Sequence, residues 1–250
     1  VSAMNSYGNN AYMMYGYKAG YPLNALWGFE YAGTVKNIQE YEDNLVSKKY
    51  VYRDIHNSAV SALGSSRYID QNNDGVLDNN DLVYLGNSDP ILYGGLNNTF
   101  HWKNLKFSFY FIYSLGGKIY NYSEMFMGGG IVTNQYRYML DAWHPVRNPD
   151  SWHPRPSKDY NLMPSSRQVH DASYLRLKTV SIAYTLPFRK GNVFKDMTFT
   201  LTGDNLLLLT KYNGFDPDVS TSKDNSTLRR VDMGAYPKAR MVVLGVQLRY

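Results

Sequence analysis

The chain has 250 residues, 44% of them apolar and 19% charged, with no cysteine and a formal net charge of +5. That balance excludes a disordered chain, and the missing thiols exclude a disulfide scaffold, thiol catalysis and thiolate metal sites. The basic side chains are scattered, adjacent only at Lys48–Lys49, Arg189–Lys190 and Arg229–Arg230, so no nucleic-acid partner is expected.

The first twenty residues are rich in Tyr and Gly and have neither the charged start nor the apolar centre of a secretory leader, so no signal peptide is expected. No apolar run approaches ~18 residues, so no transmembrane helix is expected. Membrane-crossing strands of ~9–11 alternating residues escape such a count. The 24 Tyr against 4 Trp suit strands, interfaces and half-wet surfaces.

The first distinct motif is "DQNNDGVLDNND", Asp70 to Asp81. Asp70, Asn72 and Asp74 stand at positions 1, 3 and 5 of a calcium-type loop. Gly75 is at the sharp turn, the Val76 carbonyl is at 7, Asp78 at 9 and Asp81 at 12. Asp rather than Glu at position 12 has a shorter reach, which suits weak Ca²⁺ binding or Mg²⁺. An Asx-rich turn cluster without an ion uses the same residues. The next stretch, "LVYLGNSDP", reads as strand and turn, not as the second helix of a calcium-sensor hand.

Alternation then dominates. Leu92, Leu96, Phe100 and Trp102 fall on one face; Leu105, Phe107, Phe109, Phe111, Tyr113 and Leu115 form a second row, with Lys106, Ser108 and Ser114 opposite. A short helix is expected within "NQYRYMLDAW". Val180, Ile182, Tyr184 and Leu186 form a third row, and Leu175 and Leu177 fall out of phase with it, which predicts a bulge near Lys178–Thr179. Phe199 and Leu201 mark a fourth row. Val242, Leu244, Val246, Leu248 and Tyr250 close the chain as a fifth. No long helical period is evident. The links after Trp102 and Leu186 are short, whereas those at about 20–91, 117–170 and 211–239 are long. Ordinary domains rarely hold such long loops. Strict alternation of short and long links is the pattern of an outer-membrane barrel, with short turns on the periplasmic side and long loops outside.

With these strands in place, the chain resembles the C-terminal part of the SusC/RagA family, TonB-dependent outer-membrane transporters of Bacteroidetes-type bacteria. The resemblance is carried in order by "GYPLNALWGFEYAGT", "YIDQNNDGVLDNNDLVYLGNSDPILYGGLNNTF", "AWHPVRNPDSWHPR", "DASYLRLKTVSIAYTLP", "LTGDNLLLLTKYNGFDPDVS" and "GAYPKARMVVLGVQLRY". The two His of "WHPVRNPDSWHPR" depart from the family's usual small or polar residues. The resemblance implies an all-β fold: an antiparallel transmembrane β-barrel segment, the C-terminal strands of a barrel of about 22 strands with a plugged lumen. Residues 1–250 are then expected to supply barrel strands and long extracellular loops, with no plug domain and no TonB-contact box. It also implies import of oligosaccharide or peptide nutrients across the Gram-negative outer membrane. The implied partners are a SusD-like surface lipoprotein, TonB acting through the absent N-terminal region, the lipid bilayer with its lipopolysaccharide, and the barrel-assembly machinery. Leu248 and Tyr250 resemble the terminal signal that this machinery reads.

Trp143 and Trp152, in matching Trp-His-Pro contexts, and Tyr136 and Tyr138 are the candidate substrate-stacking residues; interface-belt packing is the other reading of the Tyr-rich loops. His144 and His153 lack a third ligand at helical spacing. Asp216 and Asp218 lie in an Asp-Pro turn, and no nucleophile elbow, phosphate loop or zinc-protease motif occurs, so enzymatic activity is not expected. A soluble surface carbohydrate-binding β-domain with a calcium-stabilised loop is the alternative.

Overall fold

Alternating side chains and short turns dictate the main sheet, and the long links supply a second body of structure. The computed structural model describes residues 18–52, 59–131, 133–158, 163–189, 193–219 and 230–250. The early elements are β1 (Ala25–Gly28), β2 (Tyr31–Thr34), α1 (Ile38–Ser47), β3 (Tyr50–Tyr52), α2 (Ala59–Ala62), β4 (Ser66–Ile69) and β5 (Val83–Asn87). Then come β6 (Leu92–Trp102), β7 (Leu105–Leu115), β8 (Lys118–Asn121), α3 (Glu124–Met127), β9 (Val169–Asp171), β10 (Tyr174–Pro187), β11 (Asp196–Thr210), β12 (Val231–Asp232) and β13 (Met241–Arg249). They divide into two units: Val1–Ser88, Lys118–His170 and Val219–Gly234 form the first, and Asp89–Gly117, Asp171–Asp218 and Ala235–Tyr250 the second.

The second unit is a five-stranded antiparallel sheet of order β13-β11-β10-β7-β6, so space follows chain order. Its register joins the predicted rows into one face. Phe100 lies opposite Phe107, Phe107 opposite Ile182, Ile182 opposite Leu201 and Leu201 opposite Leu244. The bulge lies where the phase change predicted it, between Leu177 and Thr179, and brings Leu177 opposite Phe111. Aromatic rings fill the middle of this face, with Phe109 and Phe111 meeting edge to face at 5.5 Å. Among the described residues no second layer covers it: Phe100 is 55% exposed and Leu244 72%. On the opposite face hydroxyls pair across strands, Ser181 with Thr202 at 3.0 Å and Thr185 with Thr198 at 2.9 Å, and Thr179 donates to Asp204 at 2.8 Å.

All short turns of the sheet lie at one rim. Trp102 pairs with Leu105, and Pro187 with Asp196, beside Arg249. The opposite rim, where Leu92 meets Leu115 and Tyr174 meets Ser114 and Thr210, receives the long links. β13 and β6 are open edges, so the sheet is not closed within this chain. An open strip of this kind needs further strands to satisfy its edges.

The first unit gives the long links secondary structure of their own. It holds an antiparallel sheet of order β2-β4-β3, the β1–β5 pair and a parallel β8–β12 contact. Its core joins Phe29, Tyr31, Tyr68 and Met163, with Leu77 and Leu82 against them. α1 is a ten-residue helix where no long helix was expected. Asn37 caps it by accepting from the Glu40 N–H, and Lys48 ends it in the left-handed region at φ 49°. Its only buried residue is Asn44, so there was no apolar stripe to read. The helix expected in "NQYRYMLDAW" is a single 3₁₀ turn, Arg137–Asp141.

Candidate functional site

The loop Asp70–Asp81 is closed by its own hydrogen bonds. The Asp70 carboxylate accepts from the N–H groups of Asn73 and Gly75, both at 2.7 Å. Asp81 accepts from those of Gln71 and Asp78, both at 2.8 Å. Asn72 and Asp74 hold one another, and Asp74 takes the Val76 N–H at 2.7 Å. Asp78 caps the 3₁₀ turn Asn79–Asp81 by accepting from Asn80. Gly75 has φ +88°, a conformation that glycine adopts without strain. Asp70 and Asp81 are buried, at 2% and 0% exposure. Neither carboxylate meets an Arg or Lys among the described residues. Also among the described residues, no three His, Cys, Asp or Glu side chains stand close enough to share an ion.

The four candidate stacking residues lie in the first unit and three of them share a cluster. Tyr136 and Tyr138 stack at 5.4 Å with planes 10° apart, and Tyr138 stacks on His153 at 4.6 Å. The Arg167 guanidinium lies over both Tyr138 and Tyr31, at 5.9 and 5.6 Å. Tyr31 meets Trp152 edge-on at 5.2 Å and donates its hydroxyl to the Trp152 carbonyl at 2.8 Å. Trp152 remains 55% exposed, so one ring of the cluster is open to a ligand. Trp143 serves packing: it lies so close over Gly64 that a Cβ there would stand 2.3 Å from Cε3. Tyr31 and Arg167 were not found from the sequence, because only the fold brings them to the predicted rings.

Burial sets the titration of this cluster. It pushes the Tyr31 and Tyr138 phenols well above their usual value. It pushes the His153 imidazole below the usual 6.5, and the Arg167 charge acts in the same direction. A His whose folded value is depressed stabilises the fold above pH 6.5. That contribution is lost as pH falls from there through the depressed value. The phenols contribute below pH 10, and their contribution fades as pH rises through their raised values. Tryptophan fluorescence and limited proteolysis of this unit should therefore be flat between these limits and change on acidification below the lower one. His153→Gln should remove the acid-side change.

No family model matches the chain. TonB-dependent receptor P26 of Formosa agariphila is 36% identical over 197 residues, covering 75% of this chain and 20% of that protein. TonB-dependent receptor P3 of the same organism is 30% identical over 241 residues, covering 93% of this chain and 23% of that protein. TonB-dependent receptor SusC of Bacteroides thetaiotaomicron is 24% identical over 214 residues, with coverage of 80% and 19%. Among solved structures, the RagAB peptide transporter superimposes with a TM-score of 0.67 at 25% identity, covering 94% of this chain and 23% of that one. The RagAB peptide importer in its closed-closed state gives the same score at 26% identity, with coverage of 94% and 24%. The chain belongs to the SusC/RagA family of TonB-dependent transporters. It spans about a fifth of the length of the curated relatives it matches.

For a SusC/RagA chain, the two-faced sheet is a segment of transmembrane β-barrel wall. Its polar face carries a buried ion pair. Arg176 on β10 donates to Asp216 at 2.5 Å, and the two side chains are 3% and 2% exposed. Asp216 also accepts from the Asp218 N–H at 2.9 Å, and Asp218 pairs with Lys238. The two carboxylates that a hydrolase would need are thus each tied to a separate cation.

Proposed function

We propose that this chain forms wall and external loops of a TonB-dependent importer of oligosaccharide or peptide nutrients in the outer membrane of a Gram-negative bacterium. A SusD-like lipoprotein would capture the substrate at the surface, and TonB would couple import to energy through a region outside this chain. The reading is carried by the exposed apolar face, joined to short turns at one rim only and to relatives that are TonB-dependent receptors. Passage needs binding and release, and no residue here is assigned a covalent step. The apolar face would contact lipid and lipopolysaccharide, and Leu248 and Tyr250 would serve the barrel-assembly machinery.

Trp152, Tyr136 and Tyr138 are the proposed substrate-stacking rings, with Trp143 holding their support. In the full-length transporter, Trp152→Ala should weaken substrate binding by about threefold to tenfold, the value of one aromatic contact. Titrating oligosaccharide and peptide pools in parallel by calorimetry also reads the substrate class. Unchanged binding of both classes would remove the ring from the site.

We also propose that the loop Asp70–Asp81 takes Ca²⁺ weakly, with Mg²⁺ as the alternative. The candidate donors are Asp70, Asn72, Asp74, Asp78, Asp81 and the Val76 carbonyl. The reading is supported by two buried carboxylates that face only N–H donors, while the Lys48 ammonium at the loop reaches the Asp74 carbonyl and neither of them. Ca²⁺ at about a hundred times its dissociation constant should stabilise the loop by about 2.7 kcal/mol, seen as protection from proteolysis. Asp70→Asn should abolish the protection. Equal cleavage with Ca²⁺ and with chelator would leave the Asx-turn reading in its place.

A further inference from the structure

We propose that the short-turn rim of the sheet binds the headgroup of an anionic phospholipid through Lys103 and Lys195. The inference rests on the membrane reading above and adds the lipid's chemistry to it. The β6–β7 turn holds Lys103 in the left-handed region at φ 53°, with its amine 5.5 Å from the ring centre of Trp102. Trp102 belongs to the apolar face and is 68% exposed. The Thr185 N–H donates to the Asn104 carbonyl at 2.9 Å, which fixes the turn against β10. The result is a recess lined by Trp102, Lys103, Asn104, Leu105 and Tyr184.

Lys195 stands two strands along the same rim. It directly precedes Asp196, the first residue of β11, whose neighbour Met197 lies opposite Leu186 on the apolar face. Its backbone is fixed on both sides: Lys195 N–H donates to the Arg249 carbonyl at 2.7 Å, and Phe188 N–H donates to the Lys195 carbonyl at 2.9 Å. Two strand spacings put the two backbones about 10 Å apart along the rim, a gap that two long Lys side chains can close around one headgroup. Both lysines are exposed. Neither meets a carboxylate among the described residues, whereas Arg249 at the same rim is already tied to Asp196.

Two cations with no counter-ion among the described residues therefore sit at the rim where the apolar rows end, the rim of Trp102, Tyr184, Phe188 and Tyr250, all more than a third exposed. The complementary molecule carries an anion at one end and hydrocarbon below it. A phosphodiester lipid has both, whereas free phosphate would meet the amines and leave the rows uncovered. A lysine near a lipid surface favours anionic headgroups by about fivefold.

The test uses the full-length transporter in nanodiscs of phosphatidylcholine, alone or with a minority of phosphatidylglycerol, with retained lipid read by native mass spectrometry. Phosphatidylglycerol should be retained in preference. Lys103→Gln with Lys195→Gln should reduce that preference by at least fivefold, and Lys103→Arg with Lys195→Arg should keep it. Heat-modifiable gel mobility confirms that each variant is folded. Equal retention of the two lipids, or an unchanged preference in the Gln pair, overturns the proposal; displacement by inorganic phosphate does so too, by making the site one for free phosphate. Recovery of the transporter without detergent in the aqueous fraction would instead overturn the membrane reading, so the two failures read differently.

Discussion

Arg176→Ala should destabilise the folded chain by about 3–5 kcal/mol, because it leaves the Asp216 carboxylate buried without its cation. Asp216→Ala should cost a similar amount by stranding the guanidinium. Replacing both residues together, Arg176→Met with Asp216→Leu, should recover most of the loss, since a buried ion pair contributes little beyond an apolar pair of similar size. The effect should appear first in the loop after β11, because Asp216 also orders Asp218, which in turn holds Lys238. Protease cleavage after Lys211 reports that loop, and loss of heat-modifiable mobility reports the sheet. If the two single variants were as stable as the parent, the pair would have no role in holding the loop.

Leu244→Arg has opposite consequences in the two readings of the sheet. The side chain is 72% exposed and lies mid-strand in β13. In water such a substitution is close to neutral, within about 0.5 kcal/mol. At the middle of a bilayer an arginine on the lipid face of a barrel costs about 2–4 kcal/mol. The expected result is reduced folded yield in liposomes for Leu244→Arg and near-normal yield for Gln247→Arg, which adds the same charge to the other face of the same strand. Equal yields for both would mean that the apolar row does not face hydrocarbon.

The sheet was legible in the sequence because alternation over nine to fifteen residues leaves a period that nothing else imitates. Even the bulge could be read, since Leu175 and Leu177 were out of phase with Val180 and Ile182. The smaller unit could not be read this way. Its strands run two to five residues, too short to establish a period, and α1 buries only Asn44. The candidate stacking residues were visible as aromatic composition. Their partners were not: Tyr31 and Arg167 join them only through the fold. Asp216 was visible as a carboxylate beside a proline, but its pairing with Arg176 spans 40 residues and left no local mark.

The order of the strands in space has a consequence for how such a chain diversifies. Each strand of the wall finds its partner in the neighbouring strand along the chain, and every inserted segment enters at the same rim. Lengthening or replacing an insertion shifts no rung of the ladder, so the inserted segments can be rewritten many times over an unchanged wall.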